Sequence, residues 1–218
     1  MKKLSFNFLL AVVVMFLAFS CGKDKPVTDG TNTPATTKDG VPYIIDTADS
    51  RIEWKGYKVV KTDQTSHFGT IQFESGDITV ANNKLESGKF VANMSSLTSV
   101  DLKDDPEQLA KLVGHLKSGD FLEVEKFPTA SYEITKVSEN TSGGNYNTVM
   151  DGKLTVKGIT KPVQFNANVA VDGNLVSIAT EPTDINREDF GIKFQMPVEN
   201  GLIKNEMTLQ ILVKANKK

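Results

Sequence analysis

Apolar and polar residues alternate along most of the chain from Tyr43 onward. Ile52, Trp54 and Gly56 share one face of an extended segment, with Arg51, Glu53 and Lys55 on the other. Ile71 and Phe73 alternate with Thr70, Gln72 and Glu74, and Phe90, Ala92 and Met94 alternate with Lys89, Val91 and Asn93. The same period runs through Tyr132 and Ile134, then Met150, Leu154 and Val156, then Val163, Phe165, Ala167, Val169 and Val171. Val176 and Ile178 follow, and Met207, Leu209, Ile211 and Val213 close the chain. One apolar and one polar face is the signature of antiparallel strands with one solvated side. Ser75-Gly76-Asp77, Asn82-Asn83, Ser142-Gly143-Gly144, Asp172-Gly173-Asn174 and Glu199-Asn200-Gly201 read as the turns between them. About eight strands without βαβ alternation predict an all-β sandwich or barrel.

One helix interrupts this pattern. Asp105 is a capping acid, Pro106 suits the first helical position, and Gln108 completes a capping-box-like start. Leu109, Leu112, Val113 and Leu116 recur at i, i+3, i+4 and i+7, a narrow apolar stripe, and Ser118-Gly119 ends it. The stripe reads as core packing at one end of the barrel, with a lid as the alternative.

Composition adds a second feature, a skew of apolar residues toward the start. Of 218 residues, 39% are apolar, and fifteen of these lie in the first twenty positions. Without them the apolar share drops to roughly 35%, modest for a soluble domain. Lys2 and Lys3 precede an apolar stretch that is unbroken from Phe8 to Phe19. That stretch is short for the ~20 residues that cross a bilayer as a helix, and the pattern is that of a secretory signal peptide. Residues 1–20 are therefore expected to be a leader. Leu17-Ala18-Phe19-Ser20-Cys21 resembles a bacterial lipobox, with Ala18 where Leu is usual and Leu17 one place earlier.

Cys21, the chain's one cysteine, then becomes the lipidated N-terminal residue of the mature protein. The alternative is an exported soluble protein with an incidental thiol. Residues 21–41 carry little to bury and read as a tether; residues 42–218 form the barrel domain. Lipidation implies a membrane partner and a place in the bacterial cell envelope, at the outer membrane on its periplasmic or surface side.

A single cysteine excludes an intrachain disulfide framework and any Cys-rich metal site. The net charge of −2 argues against nucleic acid, whose phosphates call for clustered excess Lys and Arg. His67 and His115, the two histidines, lack a third metal ligand at recognisable spacing, and no nucleophile motif accompanies them. No metal, cofactor or catalytic residue is expected.

The sequence words go further than periodicity. Trp54-Lys55-Gly56 and Ser66-His67-Phe68-Gly69 are followed by Asn93-Met94-Ser95-Ser96 and His115-Leu116-Lys117-Ser118. Lys126-Phe127-Pro128-Thr129-Ala130, Leu154-Thr155-Val156-Lys157-Gly158-Ile159-Thr160-Lys161 and Asn186-Arg187-Glu188-Asp189-Phe190-Gly191 come next. In order and spacing these words resemble the YceI-like family, from about Tyr43 to Ala215. Asn93 departs from the family's frequent Asp before Met-Ser-Ser, which removes one loop carboxylate and leaves the fold alone.

The resemblance implies an about eight-stranded antiparallel lipocalin-like barrel with one short amphipathic helix. It also implies a long apolar tunnel that takes a polyisoprenoid, an isoprenoid quinone or a fatty amide, with no shared catalytic reaction. Trp54, Phe68, Ile71, Phe73, Phe90, Met94, Met150, Phe165 and Leu209 are the expected inward set. Each could equally belong to a dry packed core, because a small barrel either fills its interior or leaves room for a ligand. His67, His115, Arg187 and Asp189 are candidate headgroup contacts, and Arg187 and Asp189 could instead pair with each other to lock a loop. The expected function is sequestration or carriage of an amphiphile in the envelope. The alternative is a non-enzymatic interaction module with a packed barrel and partner-binding loops. Whether the barrel forms a homodimer is left open.

Overall fold

The computed structural model describes residues 40–218. The expected leader, Cys21 and nearly all of the tether lie outside the described residues. Eleven strands form one antiparallel sheet. They are β1 (Val41–Ile45), β2 (Arg51–Val60), β3 (Asp63–Ala81), β4 (Lys84–Asn93), β5 (Thr98–Ser99), β6 (Thr129–Glu139), β7 (Thr148–Val156), β8 (Ile159–Asp172), β9 (Leu175–Thr180), β10 (Thr183–Asn186) and β11 (Gly201–Lys217). The order β11-β2-β3-β4-β6-β7-β8-β9 returns to β11 through β9–β11 pairing, so eight strands close a ring.

The three remaining strands each extend one position of that ring. β1 pairs with β11 at Tyr43–Ile45 and with β3 at Val41–Ile44, below the end of β2. β5 takes over from β4 against β3, pairing Gly69 with Ser99 and Thr70 with Thr98. β10 takes over from β9 against β11. Eight courses built from eleven pieces remove the free edges that a flat sheet would expose.

The turn chemistry follows the sequence at Asn82-Asn83, where φ values of 51° and 61° suit a tight hairpin that Asn tolerates. A second such turn, Lys157-Gly158, has φ values of 51° and 72°. Ser75-Gly76-Asp77 is not a turn. β3 runs straight through it, and the register shifts between Phe73 and Ser75. The irregularity is a bulge that bends the long strand round the barrel. Gly76 is needed there because a Cβ would lie 2.9 Å from Cδ1 of Ile45.

Helix α1 (Pro106–Lys117) starts as expected, with the Asp105 carboxylate accepting from the Gln108 amide at 3.1 Å. None of its side chains is fully buried.

The interior divides into two apolar clusters. The lower one gathers Tyr43, Ile78, Ile134, Met150, Phe165, Val176, Ile178 and neighbours from the barrel wall. The upper one joins the wall residues Ile71, Ala92 and Ala130, with Ile192 of the β10–β11 connection, to Met94, Leu97, Phe121, Leu122 and Val124. Those last five come from the segment between β4 and β6, which covers this end of the barrel. Burial of each large apolar side chain contributes about 1.5–3 kcal/mol, so the cover is held largely by Phe121, Leu122 and Val124 rather than by α1.

Candidate ligand-binding site

Between the two clusters lies an apolar cavity of about 40 Å³. Ile52, Phe73, Phe90, Ala92, Ala130, Ser131, Tyr132, Leu154, Phe165, Leu209 and Ile211 line it. Its origin is local: Ala92 of β4 pairs directly with Ala130 of β6, and two methyl groups cannot fill the width the ring encloses. Phe73 and Phe90 stand tilted at 6.0 Å, and Tyr132 meets Phe165 edge-on at 5.1 Å. Gly152 admits the Tyr132 ring, because a Cβ there would lie 2.4 Å from it. The Tyr132 hydroxyl is shared between the carbonyls of Met150 (2.9 Å) and Val163 (3.1 Å). Burial pushes its pKa far up, so the group stays neutral. The cavity therefore presents carbon and no free charge. It exceeds the ~10–15 Å³ that one water requires but lacks the polar partners that would hold water.

The interior is filled further than the resemblance implies. Side chains of the two clusters occupy both ends, and this void lies at the waist between them. Phe73, Phe90, Phe165 and Leu209 line it, while Met150 lies in the lower cluster. Ile71 and Met94 lie in the upper cluster, and half-buried Trp54 packs on it with its indole N–H donating to the Thr98 carbonyl at 3.2 Å. Phe68 is a correction: it is 45% exposed. Residues 69, 71 and 73 of β3 point inward, so residue 68 faces out by the strand's period of two. Ile52, Ala92, Tyr132, Leu154 and Ile211 share the alternation of their strands and could have been chosen with the others. Ala130 gave no such signal, because a small residue marks a cavity only once its partner is known.

The charged candidates are separate. His67 Nδ1 lies 2.8 Å from Asp101 Oδ2. Asp101 Oδ1 accepts from the Phe68 amide (3.0 Å) and the Ser99 hydroxyl (2.6 Å). Burial alone would raise the Asp101 pKa, but the bonds from Ser99, Phe68 and His67, with the His67 charge, hold it below the usual value. Ser99 bonds the carboxylate and not the imidazole, so nothing activates it as a nucleophile.

His115 sits edge-on to Phe194 at 4.5 Å and also against Phe121 at 5.9 Å. Arg187 and Asp189 do not pair. Arg187 is fully buried and donates to the carbonyls of Ile192 (2.5 Å), Lys204 (3.0 Å) and Ile203 (3.2 Å) and to Asn205 Oδ1 (3.2 Å). These acceptors surround the point where β11 breaks register against β2 between Ile203 and Met207. The guanidinium thus replaces ladder hydrogen bonds that the irregularity leaves unmade, which one carboxylate could not do. Among the described residues no group of three or more His, Cys, Asp or Glu could hold a metal ion. No helix there is long and apolar enough to cross a membrane.

Residues 43–215 match the model of the YceI-like domain. The chain belongs to the YceI-like family. Among curated YceI-like relatives, a UPF0312 protein of Shewanella denitrificans is 27% identical over 182 residues, covering 78% of this chain and 90% of the relative. A UPF0312 protein of Staphylococcus aureus is 34% identical over 110 residues, 48% of this chain and 57% of the relative.

Two solved structures share the fold. Burkholderia cenocepacia BcnA aligns with a TM-score of 0.59 at 19% identity, covering 79% of this chain and 99% of BcnA. A polyisoprenoid binding domain from Saccharophagus degradans, implicated in plant cell wall breakdown, aligns at 0.54 and 10% identity, covering 82% and 99%. The YceI-like barrel, with one α-helix among the described residues, is therefore the architecture of residues 40–218.

Proposed function

We propose that this barrel binds the apolar chain of an amphiphile, of the polyisoprenoid, isoprenoid-quinone or fatty-amide class, without catalysing a reaction on it. The waist cavity carries the reading: its lining is almost wholly carbon, and the Tyr132 hydroxyl beside it is already committed to Met150 and Val163. A binding domain of similar fold supports it. The driving force is apolar area, at about 25 cal/mol per Å² removed from water.

The tail starts in the waist and extends toward α1 by displacing upper-cluster side chains that the cover segment contributes. The polar head then stays at the mouth, near His67 and His115. In the same proposal Cys21 carries lipid and holds the protein in the bacterial cell envelope. A Cys21→Ala protein should leave the membrane fraction, and persistent membrane partition would count against the anchor.

A second reading has one observation in its favour. The two side-chain clusters fill both ends of the barrel, as a packed scaffold with partner-binding loops would require. Gentle purification followed by lipid mass spectrometry separates the two. A stoichiometric co-purified amphiphile supports the binding reading. A protein that carries none and takes up no isoprenoid quinone supports the scaffold.

A further inference from the structure

Two posts hold the cover at the mouth, and α1 hangs between them. The first post is at β5. The Asp101 carboxylate accepts from the Phe68 amide and meets His67, and the Val100 amide donates to the Phe68 carbonyl at 2.9 Å. Gly69 lets β5 come this close, since a Cβ there would lie 1.9 Å from the Thr98 carbonyl oxygen. The second post follows the helix. Glu123 pairs with Lys157 at 2.8 Å, tying the segment to the β7–β8 turn. The Phe127 ring abuts Gly158 of that turn, where a Cβ would meet it at 3.0 Å.

Between the posts the fastening is weak. α1 has no fully buried side chain. Gly114 sits in its middle with nothing within 4 Å of where a Cβ would be, so no contact calls for a glycine there. Glycine is a poor helix former, and a helix of twelve residues is marginal without tertiary support. Over its first three turns its inner contacts are Val113 on the upper cluster and the His115 ring on Phe194 and Phe121, whereas its last residues are tied down: the Leu116 and Lys117 carbonyls accept from the Leu122 and Val124 amides, and the Lys117 ammonium donates to the Ser95 carbonyl at 2.7 Å. Gly119, equally free of neighbours, follows its C-terminal end.

We infer that α1 is a lid over the barrel mouth, which opens by lifting between Asp105 and His115 while both posts, and the helix end bonded to the second, stay closed, and that this opening admits the amphiphile. The clause on admission rests on the proposed binding function; the opening itself does not. Opening at the helix uncovers the upper cluster from the side where Val113 and the His115 ring now rest. Local opening of this kind draws on the least buried element of a fold.

Two measurements on the full chain test it. Hydrogen exchange on the unaltered protein should show residues 107–115 exchanging at least tenfold faster than residues 98–101 and 121–127. Exchange of all three segments at one rate would overturn the lid. The second uses His115→Cys and Phe194→Cys together on a Cys21→Ser background, joined by a bifunctional thiol reagent. The joined protein should take up a fluorescent isoprenoid alcohol at least tenfold more slowly than the same protein left unjoined. Equal uptake rates would overturn the lid as the route. If neither form takes up the probe while exchange follows the expected order, the lid stands and the amphiphile reading falls.

Discussion

Arg187 lies wholly inside the fold. It is a buried cation whose donors serve three carbonyls and one amide oxygen around the break in β11. Burial pulls its pKa down, against the pull of Glu188, but a guanidinium stays charged. Arg187→Met should cost about 3–5 kcal/mol in urea denaturation, because several acceptors are left buried and unpaired. Arg187→Lys should recover little of this, since one ammonium cannot reproduce the planar fork. Full recovery by Lys would show that charge, not geometry, is what β11 requires.

Asp101 gives a pH-dependent counterpart. Folding lowers its pKa below the ordinary aspartate value of 3.8. Its bonds therefore contribute stability above that value and lose it as pH falls through the lower folded one. The stability gap between the protein and Asp101→Asn should be constant near neutrality and shrink only below pH 3.8, as denaturation at stepped pH would show.

At this scale the sequence was half legible. Period-two alternation found the inward Phe73, Phe90 and Phe165, whose strands it placed correctly. It could not show that Arg187 bonds main chain, because three of its four acceptors lie in an irregular stretch sixteen to eighteen residues away. Phe68 was misassigned by residue type, although its own strand's parity with Ile71 and Phe73 pointed outward.

Among the elements, long strands and α1 follow from pattern and capping. The short pieces β1, β5 and β10 do not, since two to five residues carry no period and exist only through their partners. Ser75-Gly76-Asp77 has turn composition yet forms a bulge, because flanking apolar residues on both sides are paired to the same neighbour, β4. Element-level tests follow. Gly69→Ala should detach β5, costing about 1–3 kcal/mol with faster exchange at Thr98 and Ser99, as overpacking against backbone predicts. Gly114→Ala has open space and should instead stabilise α1 by about 0.5–1 kcal/mol and slow its exchange. A destabilised Gly114→Ala would mean that the glycine serves a contact.

For the whole molecule, ring closure was readable from strand number and from the family words, whereas the state of the interior was not. Alternation says which side chains point in, and only the pairing of Ala92 with Ala130 says where they fail to meet. The lower cluster belongs to the wall apart from Phe190, while much of the upper one is carried by the cover. A barrel built this way can change its content at one end without unfolding the other.

Titration with a fluorescent isoprenoid alcohol, read by energy transfer from Trp54, the chain's one tryptophan, tests that account most directly. Saturable one-to-one binding is expected, competed by unlabelled isoprenoid quinone. Ala130→Leu, which fills the waist, should weaken it at least about tenfold, or about 1.4 kcal/mol, while unfolding at a similar denaturant concentration. No saturation in the parent protein, or undiminished affinity in folded Ala130→Leu, would contradict it.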